Sequence, residues 1–348
     1  MKGPTLDLNQ AFEQLQEEAD ADPGQVKEAR RRRDLFRDAF EGEDDVVEVV
    51  ASGSLARSTH RDPINDVDLI VVFDASVHPS WGADGDSAGE ALEFTKERVR
   101  SLLGASEGTF DQVVRLASPR NHAVKCFLDD PGEPDAFTVD VMPALRHPER
   151  GVLAPEKAND RWIRTDPEYL IAQVASRQQA WDQFRPLVRV LKMWNTTRDV
   201  GLKSLAVEVL ALTHLPESSN RPEALRLFFG AAELAIGGPI EDPAGLCDEI
   251  QPDRDVDQAT RCFSEAASAS WRAVDAQAQG DTDRAACLWR EVFGASFPEP
   301  EGGCDAQDDD EGGLGSFLIG TTGAAGAGIH APRPVVDSPQ GCGDHGRG

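Results

Sequence analysis

The chain has 348 residues, 40% of them hydrophobic, enough to bury a full core and suited to two packed lobes with an appendage. Its 62 acidic residues against 35 basic ones give a formal charge of −27, which argues against a nucleic-acid partner, since duplex binding needs many Lys and Arg contacts to phosphate. No apolar run approaches the roughly 18 residues of a membrane span, and the start, Met1-Lys2-Gly3-Pro4, lacks the apolar core of a signal peptide, so no membrane partner and a cytoplasmic location are expected.

Residues 6–41 read as helix in two pieces, broken at Asp22-Pro23, with Asp22 as N-cap and Pro23 in the first helical position. The second piece carries a basic run from Arg30 to Arg33. It reads as a solvated helix face, with a basic lining of an active site as the alternative. The β-branched run Val46-Val47-Glu48-Val49-Val50 then reads as a strand leading into Gly53-Ser54, and a second strand covers about 67–73. Further strands are expected at 110–116, 122–128 and 137–142, with a helix near 89–103. This order suggests a small mixed sheet with helices on one side.

After about residue 150 the pattern turns helical. Phe184, Leu187, Val188, Leu191 and Trp194 share one face of segment 182–198, the spacing of an amphipathic helix. More helices are expected near 167–180, 204–215, 222–236, 254–279 and 281–293. A cleft between the α+β lobe and the helical lobe is the natural ligand site. From Glu299 onward the composition shifts to glycine and acid, which reads as a disordered tail. The six cysteines, at 126, 247, 262, 287, 304 and 342, include no C-x-x-C and no short Cys/His pairing. Free buried thiols are expected, without a zinc site or a disulfide framework.

The chemistry concentrates in two stretches. Gly53-Ser54-Leu55-Ala56-Arg57 is followed, after eleven residues beyond Ser54, by Asp66-Val67-Asp68-Leu69. On a strand, side chains two apart point the same way, so Asp66 and Asp68 stand about 6–7 Å apart on one face. Two like charges at the start of an apolar strand repel, and a bound cation removes that cost. Hard divalent ions with oxygen ligands suit paired carboxylates. Asp140, within Phe137-Thr138-Val139-Asp140-Val141-Met142, supplies a third carboxylate for a two-ion clamp of the kind used in phosphoryl transfer. Gly53 and Ser54 suit close approach of backbone N–H groups and a hydroxyl to a triphosphate, with Arg57 to neutralise it.

This joint pattern resembles the polymerase-β nucleotidyltransferase superfamily and, within it, the cyclic GMP–AMP synthase/DncV-like group, the CD-NTases. Three later stretches carry the resemblance further: 187–195, with Lys192-Met193-Trp194; 202–210, with Ser204; and 285–298. The resemblance covers residues 25–298. It implies an α+β fold: a polymerase-β-like nucleotidyltransferase lobe of mixed sheet and helices, then an all-helical lobe, with the active site in the cleft between them. The corresponding divisions are 1–150 for the catalytic lobe with its N-terminal helices, 151–298 for the helical lobe and 299–348 for the tail.

The resemblance also implies two Mg2+ ions, or Mn2+ in their place, held by Asp66, Asp68 and Asp140. Lys192 and Ser204 would contact the donor triphosphate. Nucleoside triphosphates would be joined into a cyclic di- or trinucleotide that acts as a second messenger in antiphage signalling. The alternatives are transfer to another acceptor (a tRNA end, an antibiotic or a protein) and a catalytically silent nucleotide-binding scaffold. Relatives often carry an aromatic after the serine, where this chain has Leu205, so base choice stays open. The terminal Gly348 on a flexible tether suits a companion resembling ubiquitin-transfer enzymes, with an inert solvating tail as the other reading.

Overall fold

The computed structural model describes residues 6–83, 85–104, 112–218 and 220–304. Two helices lead the chain, α1 (Leu8–Ala19) and α2 (Pro23–Glu41). The Asp22 carboxylate accepts from the Gly24 and Gln25 N–H groups, and Pro23 fills the first helical position, where its missing N–H costs nothing. Of the arginine run, Arg31 and Arg32 pair with Glu28 and Arg33 with Asp34 along the helix, whereas Arg32 also reaches Asp129 and lies over the Phe137 ring.

Strand β1 (Val46–Ser52) runs into a short helix, α3 (Gly53–Arg57), and the chain returns as β2 (Asp66–Phe73). After α4 (Ser87–Leu103) come β3 (Leu116–Pro119), β4 (Val124–Phe127), β5 (Thr138–Arg146), β6 (Val152–Glu156) and β7 (Arg161–Thr165). They form one mixed sheet in the order β1-β2-β5-β4-β3, with β6 joined to β5 and β7 to β6. Strands β2 and β5 are parallel, and the other pairs are antiparallel.

The two faces of the sheet follow from the alternation of side chains. Val67, Leu69, Val71 and Phe73, with Val139 and Val141, bury against Phe36 and Phe40 of α2 and Ala91, Leu92 and Val99 of α4. Ile70, Val72, Met142 and Ala144 form a smaller apolar cluster on the other face. Residues 66, 68 and 140 fall on that second face, away from α2 and α4.

Two strand expectations are corrected. The third strand begins at Leu116 rather than 110, and residues 105–111 lie outside those described. The sheet also continues past residue 150, where helix was expected, because β6 and β7 form a hairpin on its edge. Each of these strands is five residues long, too short to establish a period against the helical run that follows. Gly151 makes the approach feasible: a Cβ there would lie 2.3 Å from the Thr165 carbonyl oxygen.

The second lobe comprises α5 (Pro167–Ala180), α6 (Phe184–Thr197), α7 (Ser204–His214), α8 (Arg221–Ala235), α9 (Val256–Ala278) and α10 (Thr282–Phe293). Trp194, Phe228, Phe229, Phe263 and Trp289 are buried at its centre. Helix α1 joins the same core through Leu8, Phe12 and Leu15. The Phe12 ring meets Trp289 and Phe297 edge-on, with centroids 5.2 and 5.1 Å away. The first helix therefore packs with the helical lobe, not with the sheet.

Cys287 and Cys304 form a disulfide, which corrects the expectation of free thiols throughout; Cys126 and Cys262 remain free and buried. A separation of 17 residues carries no motif, and only the return of the chain along α10 brings the two together. No helix among the described residues is long and apolar enough to cross a membrane. Most of the expected tail, including Gly348, lies outside the described residues.

Candidate active site

The parallel pairing of β2 with β5 decides the site. Asp68 stands directly opposite Asp140, and Asp66 opposite Thr138, so the three carboxylates project from the same face of adjacent strands. Ser52 flanks Asp68 from β1, and Lys125 flanks Asp140 from β4. Asp66 is exposed at the rim, Asp68 is half-buried and Asp140 is buried.

Their electrostatics are those of crowded carboxylates. Burial first, and then the charge of Asp66, pushes the Asp68 carboxyl up to about 7, against the opposing pull of Arg57 and Lys125. Burial also raises Asp66, with Lys125 and Lys192 pulling it back. Among the described residues, no three carboxylate, histidine or cysteine side chains are already gathered closely enough to enclose a metal ion.

Gly53 and Ser54 open α3 immediately beside this face. Gly53 has φ +75°, and a Cβ built on it would lie 1.9 Å from Asp68 Oδ2. Only glycine permits both the left-handed backbone and this approach. The Gly-Ser turn therefore sits as close to the carboxylates as a backbone can.

Arg57 is placed differently from the phosphate-neutralising position expected for it. It is 1% exposed, and its guanidinium donates from Nε and Nη2 to the Glu208 carboxylate at 2.6 and 3.1 Å. Lys192 is 7% exposed and shares the same partner. Its Nζ donates to Glu208 Oε1 at 2.5 Å, to the Thr59 carbonyl at 2.9 Å and to Thr59 Oγ1 at 3.3 Å. Burial alone would raise the Glu208 carboxyl, but Arg57 and Lys192 outweigh it and hold the group near 2. Burial draws the Lys192 ammonium downward while Glu208 opposes it.

Arg189, one turn before Lys192 on α6, donates to the Ser58 carbonyl at 3.0 Å and to Asp20 at 2.7 Å. Helices α6 and α7 thus grip the far end of the Gly-Ser turn at Arg57, Ser58 and Thr59.

Ser204 is exposed at the first position of α7, and Lys203 rather than Ser204 occupies the N-cap. The Lys203 N–H donates to Gln251 Oε1 at 2.6 Å. Leu205 packs at the edge of the helical core. Sequence reasoning missed Glu208 and Lys125 as members of the site. Each carried a signal: a lone acid in Leu205-Ala206-Val207-Glu208-Val209-Leu210, and a lone base in Ala123-Val124-Lys125-Cys126-Phe127.

A mixed sheet with a Gly-Ser turn beside aspartates on neighbouring strands, backed by a helical lobe, is the polymerase-β-like nucleotidyltransferase fold. No protein-family model matches the chain. It is 22% identical over 281 residues to probable cyclic nucleotide synthase IK1_05630 of Bacillus cereus (strain VD146), covering 73% of this chain and 83% of that protein. The cyclic AMP-AMP-AMP synthase of Escherichia coli (strain MS 115-1) is 27% identical over 281 residues, covering 72% and 83%. The solved structure of E. coli MS115-1 CdnC with ATP superposes with a TM-score of 0.64 at 20% identity, covering 84% of this chain and 99% of that one. The chain is thus similar in sequence to cyclic nucleotide synthases and in fold to a solved CD-NTase.

Proposed function

We propose that this protein joins nucleoside triphosphates into a cyclic oligonucleotide, releasing pyrophosphate at each bond formed. The observation that carries the reading is the register of Asp68 with Asp140 on parallel strands, with Asp66 on the same face and the Gly53-Ser54 turn pressed against Asp68. A turn that close to the carboxylates suits a triphosphate whose phosphates lie between the two.

The donor set fits hard divalent cations: oxygen ligands only, crowded enough that burial and mutual repulsion raise Asp68. In this reading Asp66, Asp68 and Asp140 hold two magnesium ions, or manganese in their place. Bound there, the metal would lower the pKa of the attacking hydroxyl and neutralise charge on the departing pyrophosphate. Gly53 and Ser54 seat the phosphates. Ser204, exposed at the start of α7, offers its hydroxyl to the donor, and Lys192 lends positive charge from beneath the turn. Arg57 serves from inside, by holding the turn in place. In the family reading, the product is a second messenger of antiphage signalling.

The test is incubation of the purified protein with all four labelled triphosphates and magnesium, with no other acceptor present. A cyclic product resistant to phosphatase, identified by mass spectrometry, is the expected result. Pyrophosphate release only on addition of an RNA, an antibiotic or a protein would move the assignment to another acceptor. Nucleotide binding without any release would make the protein a scaffold.

A further inference from the structure

Glu208 is an acid that both lobes share. It lies on α7 and is 1% exposed, yet it receives Arg57 from the end of α3 and Lys192 from α6. Arg57 stands four residues beyond Gly53, whose backbone abuts Asp68. Lys192 in turn donates to the carbonyl of Thr59, and the Thr59 N–H donates back to the Ser54 carbonyl at 3.0 Å. A continuous set of contacts therefore runs from the helical lobe, through Glu208, to both ends of the Gly-Ser turn.

We propose that Glu208 is a positioning residue that fixes the Gly53-Ser54 turn at one distance from Asp68 by pinning Arg57 and Lys192 against it from the helical lobe. The inference deepens the nucleotidyltransferase reading and rests on it for its consequence in catalysis. Its structural content stands apart, because the contacts exist whatever the acceptor. A five-residue helix ending in a left-handed Ser58 has little cohesion of its own. Buried ion pairs with two-point geometry are weak sources of stability but strong sources of a single placement.

The experiment uses the full chain with Glu208→Gln and Arg57→Lys. The first keeps shape and loses charge. The second keeps charge and loses the fork that reaches both carboxylate oxygens. Two readouts are taken: amide hydrogen exchange over residues 52–60, and kcat per folded molecule alongside KM for the triphosphate.

The expected result is faster exchange over 52–60 with that of β5 unchanged, and kcat lowered roughly 10–100-fold, the range for residues that orient a catalytic group from behind. A role in stability alone would lower the melting temperature and leave kcat per folded molecule intact, which overturns the proposal. Unchanged exchange and unchanged turnover in either folded variant also overturns it. If Glu208→Gln does not fold, Arg57→Lys decides by the same readouts. If the unaltered protein forms no product from any triphosphate, the functional reading fails, and the exchange measurement still decides whether Glu208 positions the turn.

Discussion

Gly53 and Asp68 are so close that a methyl group on the glycine would stand 1.9 Å from a carboxylate oxygen. The contact joins the Gly53-Ser54 turn to the carboxylate face with no side chain between them. It also makes the glycine irreplaceable on two separate grounds, a left-handed φ and a steric limit.

Gly53→Ala should therefore lose both stability and turnover. The left-handed conformation alone costs a non-glycine residue about 1–2 kcal/mol, and the clash forces Asp68 to move as well. Thermal melting and product formation measured on one preparation check this. Retained turnover would mean that the turn and the carboxylate do not act together.

Asp140→Ala should leave the fold intact and lower product formation at least about a hundredfold, since a metal clamp contributes several kcal/mol and each 1.4 kcal/mol is tenfold. EDTA should do the same to the unaltered protein, and added magnesium should restore it. Turnover that survives both treatments would remove the carboxylates from the mechanism.

The raised Asp68 makes stability depend on pH in a definite direction. Its folded pKa of about 7 lies above the ordinary aspartate value of 3.8, so the folded state holds this proton more tightly than the unfolded chain does. The stabilisation is complete below the unfolded value and is lost as pH rises through about 7. Without divalent cations, the melting temperature of Asp68→Asn should match the unaltered protein near pH 4 and exceed it at pH 8. Parallel curves across that window would show that Asp68 is not the titrating group.

The Cys287–Cys304 disulfide ties the segment after α10 back onto that helix. Closing a loop of this length stabilises by at most about 3 kcal/mol on chain-entropy grounds. Cys247 is disulfide-bonded as well, so dithiothreitol should lower the melting temperature of the unaltered protein by a few degrees more than that of Cys287→Ser. Turnover should not change, because neither cysteine borders the carboxylate face.

The sequence was most legible where one local pattern sufficed. Asp22-Pro23 marked a helix start, the stripe through Leu187, Leu191 and Trp194 marked α6, and β-branched runs marked β1 and β2. The common face of Asp66 and Asp68 follows from strand alternation alone. The alignment of Asp140 with Asp68 depends on which strands pair and in what register, and no local pattern encodes that.

What escaped the sequence was partnership across distance. Glu208 lies 151 residues beyond Arg57, and a solitary acid in an apolar helix does not announce its partners. Arg57 read as a phosphate ligand because its neighbours are Gly53 and Ser54, whereas its charge turns inward. The hairpin of β6 and β7 was hidden for another reason: two five-residue strands offer too few repeats to outweigh the helices that follow.

Phe12, from the first helix of the chain, is sandwiched between Trp289 and Phe297 near the end of the described residues. During synthesis that phenylalanine must wait for the ribosome to deliver its neighbours, roughly 15–60 s at about 5–20 residues per second. The strands and their covering helices are all made well before then. The newborn protein should thus own a finished sheet while its second half is still open, and the last thing to arrive should be the ring stack that closes it.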